Sequence, residues 1–223
     1  MFDRLISLIG EEKFSLIKTK KILVLGCGGV GGYVVEGLVR SGTQQITVVD
    51  KDIIDETNLN RQIIALHSTI GKKKVDIIKE RMSDINPNIN ITALDLTLTE
   101  ENVCELKLEE YDYIVDAVDD VKVKLALIKY CLKNDIKLVC STGTAKKMHP
   151  EYLKMITLDK TQNDPLARKL RTNLKGYNLK KIIALSSDEV PIKTEDNILG
   201  STAFVPSSAG LLIASYIIND IIK

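Results

Sequence analysis

A chain of 223 residues with 31 Lys and Arg against 30 Asp and Glu carries a formal charge of +1, which excludes a protein held to nucleic acid or membrane by bulk charge alone. The length allows one large domain with a full core, and four cysteines without a C-x-x-C pair exclude a zinc knuckle or a disulfide framework. That cysteine usage fits a reducing cytoplasm, and the N-terminal MFDRLISLIGEEKF, with acids inside its apolar stretch, is not a signal peptide.

KILVL at 21–25 predicts a buried strand, and it runs straight into GCGGVGG at 26–32. Val30, Val34, Val35 and Leu38 then recur at helical spacing until Ser41 and Gly42 close the helix. A glycine-rich turn between strand and helix lets the backbone approach a phosphate, while the helix offers unpaired N–H groups and the positive end of its dipole. By itself the pattern serves NAD, FAD and ATP sites alike. QITVVD ends a second strand at Asp50, about 20 residues after the glycines, where an acid can accept hydrogen bonds from a ribose.

Val75, Ile78, Met82 and Ile85 mark one apolar helical face, stopped by NPN at 86–88, and ITAL at 91–94 predicts the next strand. YDYIVDAV from Tyr111, a helix across KVKLALIKYCLKN and a strand IKLVCS ending at Ser141 keep the rhythm. Such alternation predicts an α/β fold, Rossmann-like and doubly wound, with a mostly parallel sheet and ligands at the carboxyl ends of its strands.

Beyond Gly143, YLKMITLD predicts a strand, Asp164 and Pro165 the cap and first turn of a helix through Leu166, Leu170 and Leu174, and KKIIALSS a further strand. The polar stretch 188–201 reads as a loop, and Ser207 or Ser208 as the cap of the last helix. Asp220 interrupts AGLLIASYIINDIIK short of the ~20 apolar residues of a membrane span, so a core or dimer helix is expected there and no membrane contact. We expect a single domain over 1–223: a nucleotide-binding core at 1–145 and an extension at 146–223 for substrate and dimer contacts.

Three further blocks narrow the chemistry: DKDIIDETNLNRQ at 50–62, GKKK at 71–74 and VDAVDD at 115–120. Together with GCGGVGG they resemble the adenylating domain of the ubiquitin-activating-enzyme superfamily, the group of ThiF, MoeB and HesA. Activating a carboxylate as an acyl-adenylate requires charge neutralisation along a whole triphosphate, which hydride transfer does not. The resemblance implies ATP and Mg2+ as cofactors. It implies that Gly26, Gly28, Gly29 and Gly31 form the nucleotide turn, that Asp50 holds the ribose with Asp52 in support, and that Asn58, Arg61 and Lys74 contact the phosphates. Asp119 would bind magnesium, and Arg4 would reach the partner's site in a homodimer, so Arg4, Arg61, Lys74 and Asp119 are the expected catalytic set. On the residues alone, Asp50 could also simply terminate its strand, 72–74 could be a solvated helix start, although three cations there oppose the helix dipole, and Asp119 with Asp120 could be a helix cap. His67 and His149 read as structural.

Members of the superfamily that charge a sulfur carrier commonly have paired C-x-x-C motifs, which this sequence lacks. RLISLIGEEKF at Arg4, NRQIIALHSTIGKKK at Asn60, DINPN at Asp84, DPLARKLR at Asp164 and GSTAFVPSSAGLLIAS at Gly200 instead resemble, nearly end to end, the TcdA (CsdL) family of tRNA threonylcarbamoyladenosine dehydratases. The implied reaction is ATP-dependent cyclisation of threonylcarbamoyl-adenosine in tRNA through adenylation of its carboxylate. The neighbouring carbamoyl oxygen then closes a ring and expels AMP, with the large advantage of an intramolecular nucleophile. No enzymic cysteine is needed: Asp164 stands where some relatives have one before PLAR, and Cys140 is expected to be buried.

The implied partners are tRNA, a second copy of the chain, and a sulfur-relay or carrier protein. Arg168, Lys169, Arg171, Lys175, Lys180 and Lys181, with Lys146 and Lys147, are the expected tRNA face; an ordinary solvated face is the alternative. Tyr177 and Phe204 are candidates for stacking on the base. The alternative functions are a ThiF, MoeB or HesA-type activator of a ubiquitin-like sulfur carrier, a dinucleotide-dependent oxidoreductase, and a nucleotide-binding scaffold.

Overall fold

The computed structural model describes residues 1–195 and 198–223; Asp196 and Asn197, within the expected 188–201 loop, lie outside the described residues. Among the described residues seven strands form one sheet in the order β3-β2-β1-β4-β5-β7-β6. They are β1 (Lys21–Leu25), β2 (Gln45–Asp50), β3 (Asn90–Asp95), β4 (Tyr113–Asp116), β5 (Leu138–Ser141), β6 (Leu153–Thr157) and β7 (Ile183–Ser187). Every pair is parallel except β6 with β7. The fold is Rossmann-like α/β, and its switch point lies between β1 and β4, because the chain winds outward from β1 to β3 before returning to β4.

Alternation within β1 divides the core. Ile22 and Val24 pack on one face with helices α3 (Gly31–Arg40), α4 (Lys74–Ile85) and α7 (Phe204–Ile221). Leu23 and Leu25 pack on the other with α5 (Val121–Asn134) and α6 (Pro165–Asn173). The N-terminal helices α1 (Asp3–Ile9) and α2 (Glu11–Thr19) meet at Gly10, whose φ of 85° only glycine adopts freely. β1 thus serves both core faces, which is why Ile22 to Leu25 are apolar without interruption.

The apolar helix α7 lies against α3 and the sheet, burying Val205, Ala209, Ile213, Ile217 and Ile221, so it is a core helix. It begins at Phe204, not at Ser207 or Ser208. Thr202 Oγ1 accepts from Val205 N at 3.2 Å, whereas Ser207 Oγ donates back to Phe204 O within the first turn. Pro206 falls among the first N–H positions of the helix, which have no intrahelical partner, so its missing donor leaves the earlier start undisturbed. In α6, Asp164 accepts from Ala167 N at 2.9 Å as the expected cap, but Leu166 is only half-buried and Leu174 lies just past the helix.

Candidate functional site

The carboxyl ends of β1, β2, β4 and β5 open onto a cleft of about 470 Å3. Gly26 leaves β1 with φ 90°, and a Cβ on it would stand 2.7 Å from Ala117 O, so only glycine lets β1 and β4 run this close. A Cβ on Gly31 would meet Gly26 O at 1.8 Å, which fixes the turn into α3. Gly28 differs, since the only atom near its missing side chain is Gln62 Nε2, at 3.9 Å. Space beside Gly28 is therefore open to a ligand at the N-terminal end of α3.

Asp50 ends β2 as more than a strand terminator. Its Oδ2 accepts from Cys27 N at 2.6 Å and its Oδ1 from Asp52 N at 2.8 Å, bracing the glycine turn against the next segment. Each carboxylate oxygen keeps a second acceptor site for a ligand hydroxyl. Past Asp50 the chain pairs with the segment before α4: Ile54 N donates to Lys72 O and Lys74 N to Asp52 O. This pairing separates the three lysines. Lys72 is exposed, Lys73 bonds Asp95 at 2.6 Å, and Lys74 is buried with Nζ 2.8 Å from Asp52 Oδ2. Of the three, only Lys74 is withdrawn from solvent.

Asn58 closes a capping box, its Oδ1 accepting from Asp55 N, and this one-turn helix aims the following residues at the cleft. Arg61 Nη1 donates to Thr57 O and Asn60 Oδ1, which holds the guanidinium at the cleft wall. Gln62, next to it, was quoted in the motif but given no role; it lines the cleft, is buried, and its Oε1 has no partner among the described residues. Asp119 and Asp120 also line the cleft, and of the two only Asp120 acts as a helix cap. Asp120 caps α5, accepting from Lys122 N and Val123 N, while the exposed Asp119 lines the cleft and bonds no protein group among the described residues.

The cleft thus brings together Gly26, Gly28, Gly29, Asp50, Asp52, Asn58, Arg61, Lys74 and Asp119. Gly31 sits behind it, and Arg4, exposed on α1, is not part of its lining. Sequence reasoning missed the apolar end, where Leu96 and Leu98 join Val49 and Val118; the alternation LDLTL after β3 was the available signal. It also missed Thr144, Ala145, Leu199, Ser201 and Pro206, which come from beyond β5, the approach to α7 and its first turn. Asn60 Nδ2 ties that approach down at Ser201 O, 3.1 Å away. Among the described residues no three His, Cys, Asp or Glu gather as a metal cage.

Other expectations sort clearly. Cys140 is buried, and burial pushes its thiol well up. His149 bonds Glu151 at 2.8 Å, a contact that raises its pKa. The expected basic face divides. Lys147 is buried rather than exposed, its Nζ donating to Ser187 O at 3.4 Å, and burial lowers its pKa. Arg171 bonds Thr161, and Lys181 pairs with Asp135. Arg168 and Lys169 are exposed on the first half of α6, whose cap Asp164 also accepts from Gly143 N at 2.9 Å beside the cleft wall. Because α6 runs back along the sheet to the start of β7, Lys175 and Lys180 lie at the opposite end of the strands.

Comparison with known proteins adds three findings. A family model described as the ThiF family matches residues 2–215. A tRNA threonylcarbamoyladenosine dehydratase from Bacillus subtilis is 39% identical over 233 residues, covering 96% of this chain and 92% of that protein, and one from Escherichia coli is 41% identical over 169 residues, covering 76% and 63%. The crystal structure of E. coli tRNA N6-threonylcarbamoyladenosine dehydratase, TcdA, in complex with ATP superposes with a TM-score of 0.93 at 34% identity, covering 99% of this chain and 93% of that one.

Proposed function

Since the chain belongs to the ThiF family, we propose that it is an enzyme that uses ATP to dehydrate threonylcarbamoyl-adenosine in tRNA. One observation carries this reading: a likeness to named dehydratases that runs over nearly the whole chain, so that it includes the β5-to-α7 half as well as the nucleotide core. ATP fits the cleft from end to end. Leu96, Leu98 and Val49 take the base, Asp50 the ribose hydroxyls, the glycine turn and the start of α3 the phosphates, and Arg61 and Lys74 neutralise their charge. Asn58 and Asp52 orient this set through the capping box and the Lys74 ion pair.

Magnesium fits as well. It keeps several waters and binds through one or two carboxylates plus substrate phosphates, so Asp119, which lines the cleft and has no protein partner among the described residues, suffices without a cage of protein ligands. When bound, the ion would neutralise charge on the departing pyrophosphate.

The substrate carboxylate attacks the α-phosphorus and pyrophosphate leaves; the carbamoyl oxygen then attacks the acyl carbon, AMP departs, and the N–H proton is lost as the ring closes. The sum is loss of one water from the nucleoside. Arg61 and Lys74 hold the α-phosphate and its developing charge during both steps. The burial of Cys27, Cys131 and Cys140 agrees with a route that has no enzyme-bound intermediate. Arg4, exposed and outside the lining of its own cleft, would serve the cleft of a second copy in a homodimer. Arg168 and Lys169 near the cleft wall are the first contacts for tRNA, and four free cysteines suit the cytoplasm, where the tRNA is found.

The test is AMP release from ATP and magnesium with tRNA bearing threonylcarbamoyl-adenosine, followed by mass analysis of the nucleoside for loss of water. Both signals are expected, and both should vanish in Arg61→Ala and Asp119→Ala. Silence with modified tRNA, together with pyrophosphate exchange on a Gly-Gly-ended carrier protein or a sulfur-relay partner, would move the assignment to the carrier-activating branch.

A further inference from the structure

Beneath the cleft lies an ion pair that the reaction does not touch. Asp116, the last residue of β4, and Lys124, on the second turn of α5, are both 0% exposed, and neither lines the cleft. Lys124 Nζ donates to Asp116 Oδ1 at 2.9 Å and to Ser141 O at 2.9 Å, with Asp116 O at 3.5 Å. Asp116 Oδ1 also accepts from Val118 N at 3.3 Å, and Oδ2 from the Cys140 thiol at 3.3 Å. Burying two charges costs several kcal/mol per ion, about what their attraction returns, so apolar side chains would fill this space as well or better. Stability alone therefore does not account for the pair.

Its geometry suggests what does. The ladder between β4 and β5 ends at Asp116 and Cys140, and beyond it both chains contribute to the lining of the cleft: Ala117, Val118 and Asp119 after β4, Thr144 and Ala145 after β5. The ammonium sits across these two strand ends, bonded to the final carbonyl of each. On the β4 side, Val118 N is bonded to the Asp116 carboxylate and Asp120 is fixed as the cap of α5, so Asp119 is gripped from both directions.

We propose that Asp116 and Lys124 are positioning residues that hold the Asp119 carboxylate at its metal-binding place. The inference rests on the reading above in which Asp119 binds magnesium. Three variants test it: Lys124→Met, the double variant Asp116→Leu/Lys124→Met, and Asp119→Asn. Each is read by thermal melting and by calorimetric ATP affinity with magnesium and with EDTA. Lys124→Met should melt well below wild type, because it strands a buried carboxylate, and the double variant should recover most of that loss. In the recovered double variant, the gain in ATP affinity that magnesium confers should fall about tenfold, with affinity in EDTA changed less than about threefold. A double variant with wild-type magnesium dependence overturns the proposal. Should it fail to fold, Asp116→Asn/Lys124→Met, which leaves no buried charge and removes the bond to Ser141 O, is read in the same way, and wild-type magnesium dependence there is equally fatal. Asp119→Asn separates the two failures. If it leaves magnesium dependence unchanged, the reading of Asp119 is wrong; if it abolishes it while the Lys124 variants do not, only the positioning role is wrong.

Discussion

Lys74 combines burial with a partner that is half in water: its side chain is packed under the 51–55 segment, while Asp52 is 51% exposed. Removing the lysine therefore strands no buried charge. Lys74→Met should fold with a melting temperature near wild type yet lose about 10²- to 10³-fold in AMP formation, the usual scale for deleting a preorganised charge at a reacting phosphate. Rate and melting measured on one preparation check both halves. Asp50, Arg61, Lys74 and Asp119 could be singled out in the sequence because each lies in one of the short blocks that carry the family resemblance, and the fold gathers all four at one cleft. The burial of Lys124 and Lys147 could not be read in the same way. Lys124 reads as one more polar residue of an amphipathic helix, and its partner Asp116 belongs to the preceding strand. Lys147 lies in a stretch with no apolar period, and only the packing of the β7 end over it makes it a core residue.

At the scale of elements, α3 and α7 approach through small residues. A Cβ on Gly210 would fall 2.4 Å from Val30 O, and one on Gly37 2.8 Å from Ala214 Cβ. Gly210→Leu should push α7 away from the very turn that begins the nucleotide helix, costing roughly 2–4 kcal/mol by overpacking, and denaturant titration with a parallel ATP-binding assay should show both losses. The C-terminal end of α7 is held differently. Asp220 Oδ2 accepts from Lys137 Nζ at 2.8 Å and from Tyr113 OH at 2.7 Å, and these bonds, the lysine's foremost, lower its pKa to about 2. A carboxyl depressed on folding contributes above its unfolded pKa, near 4, and loses that contribution as the pH falls toward 2. Stability measured between pH 5 and pH 2 should therefore drop by on the order of 1–2 kcal/mol from this group, and Asp220→Asn should flatten that part of the curve. Strand existence was legible here because apolar runs between turn signals are distinctive. The antiparallel direction of β6 was not, since a period of two is the same read either way, and the start of α7 was misplaced because two serines outcompeted a proline as a signal.

The whole molecule is nearly neutral, so contact with a polyanion depends on where its cations stand rather than on how many there are. A basic run that is continuous in sequence is divided by the crossover of α6 into a part beside the cleft and a part at the far end of the sheet. Arg168→Glu/Lys169→Glu should weaken tRNA binding and make the salt dependence shallower by about one to two ions released, whereas Lys175→Glu/Lys180→Glu should leave the slope unchanged. Binding measured at several salt concentrations distinguishes them. The alternation of strands and helices disclosed the architecture, but sequence adjacency could not tell which end of an element a residue would occupy.

The contact between Gly26 and Ala117 leaves no room for a side chain, and it lies in a seam where Gly26 N bonds Val49 O at 2.8 Å and Ala117 N bonds Leu25 O at 2.9 Å. The turn that receives the nucleotide and the segment that carries Asp119 are thus two lips of one seam. Their amides should exchange with solvent deuterium as a single cooperative unit, since the lips cannot part without breaking the bond from Ala117 N to Leu25 O. Occupying either half of the cleft then quietens the other, and ATP and metal would be coupled by shared rigidity before they ever touch.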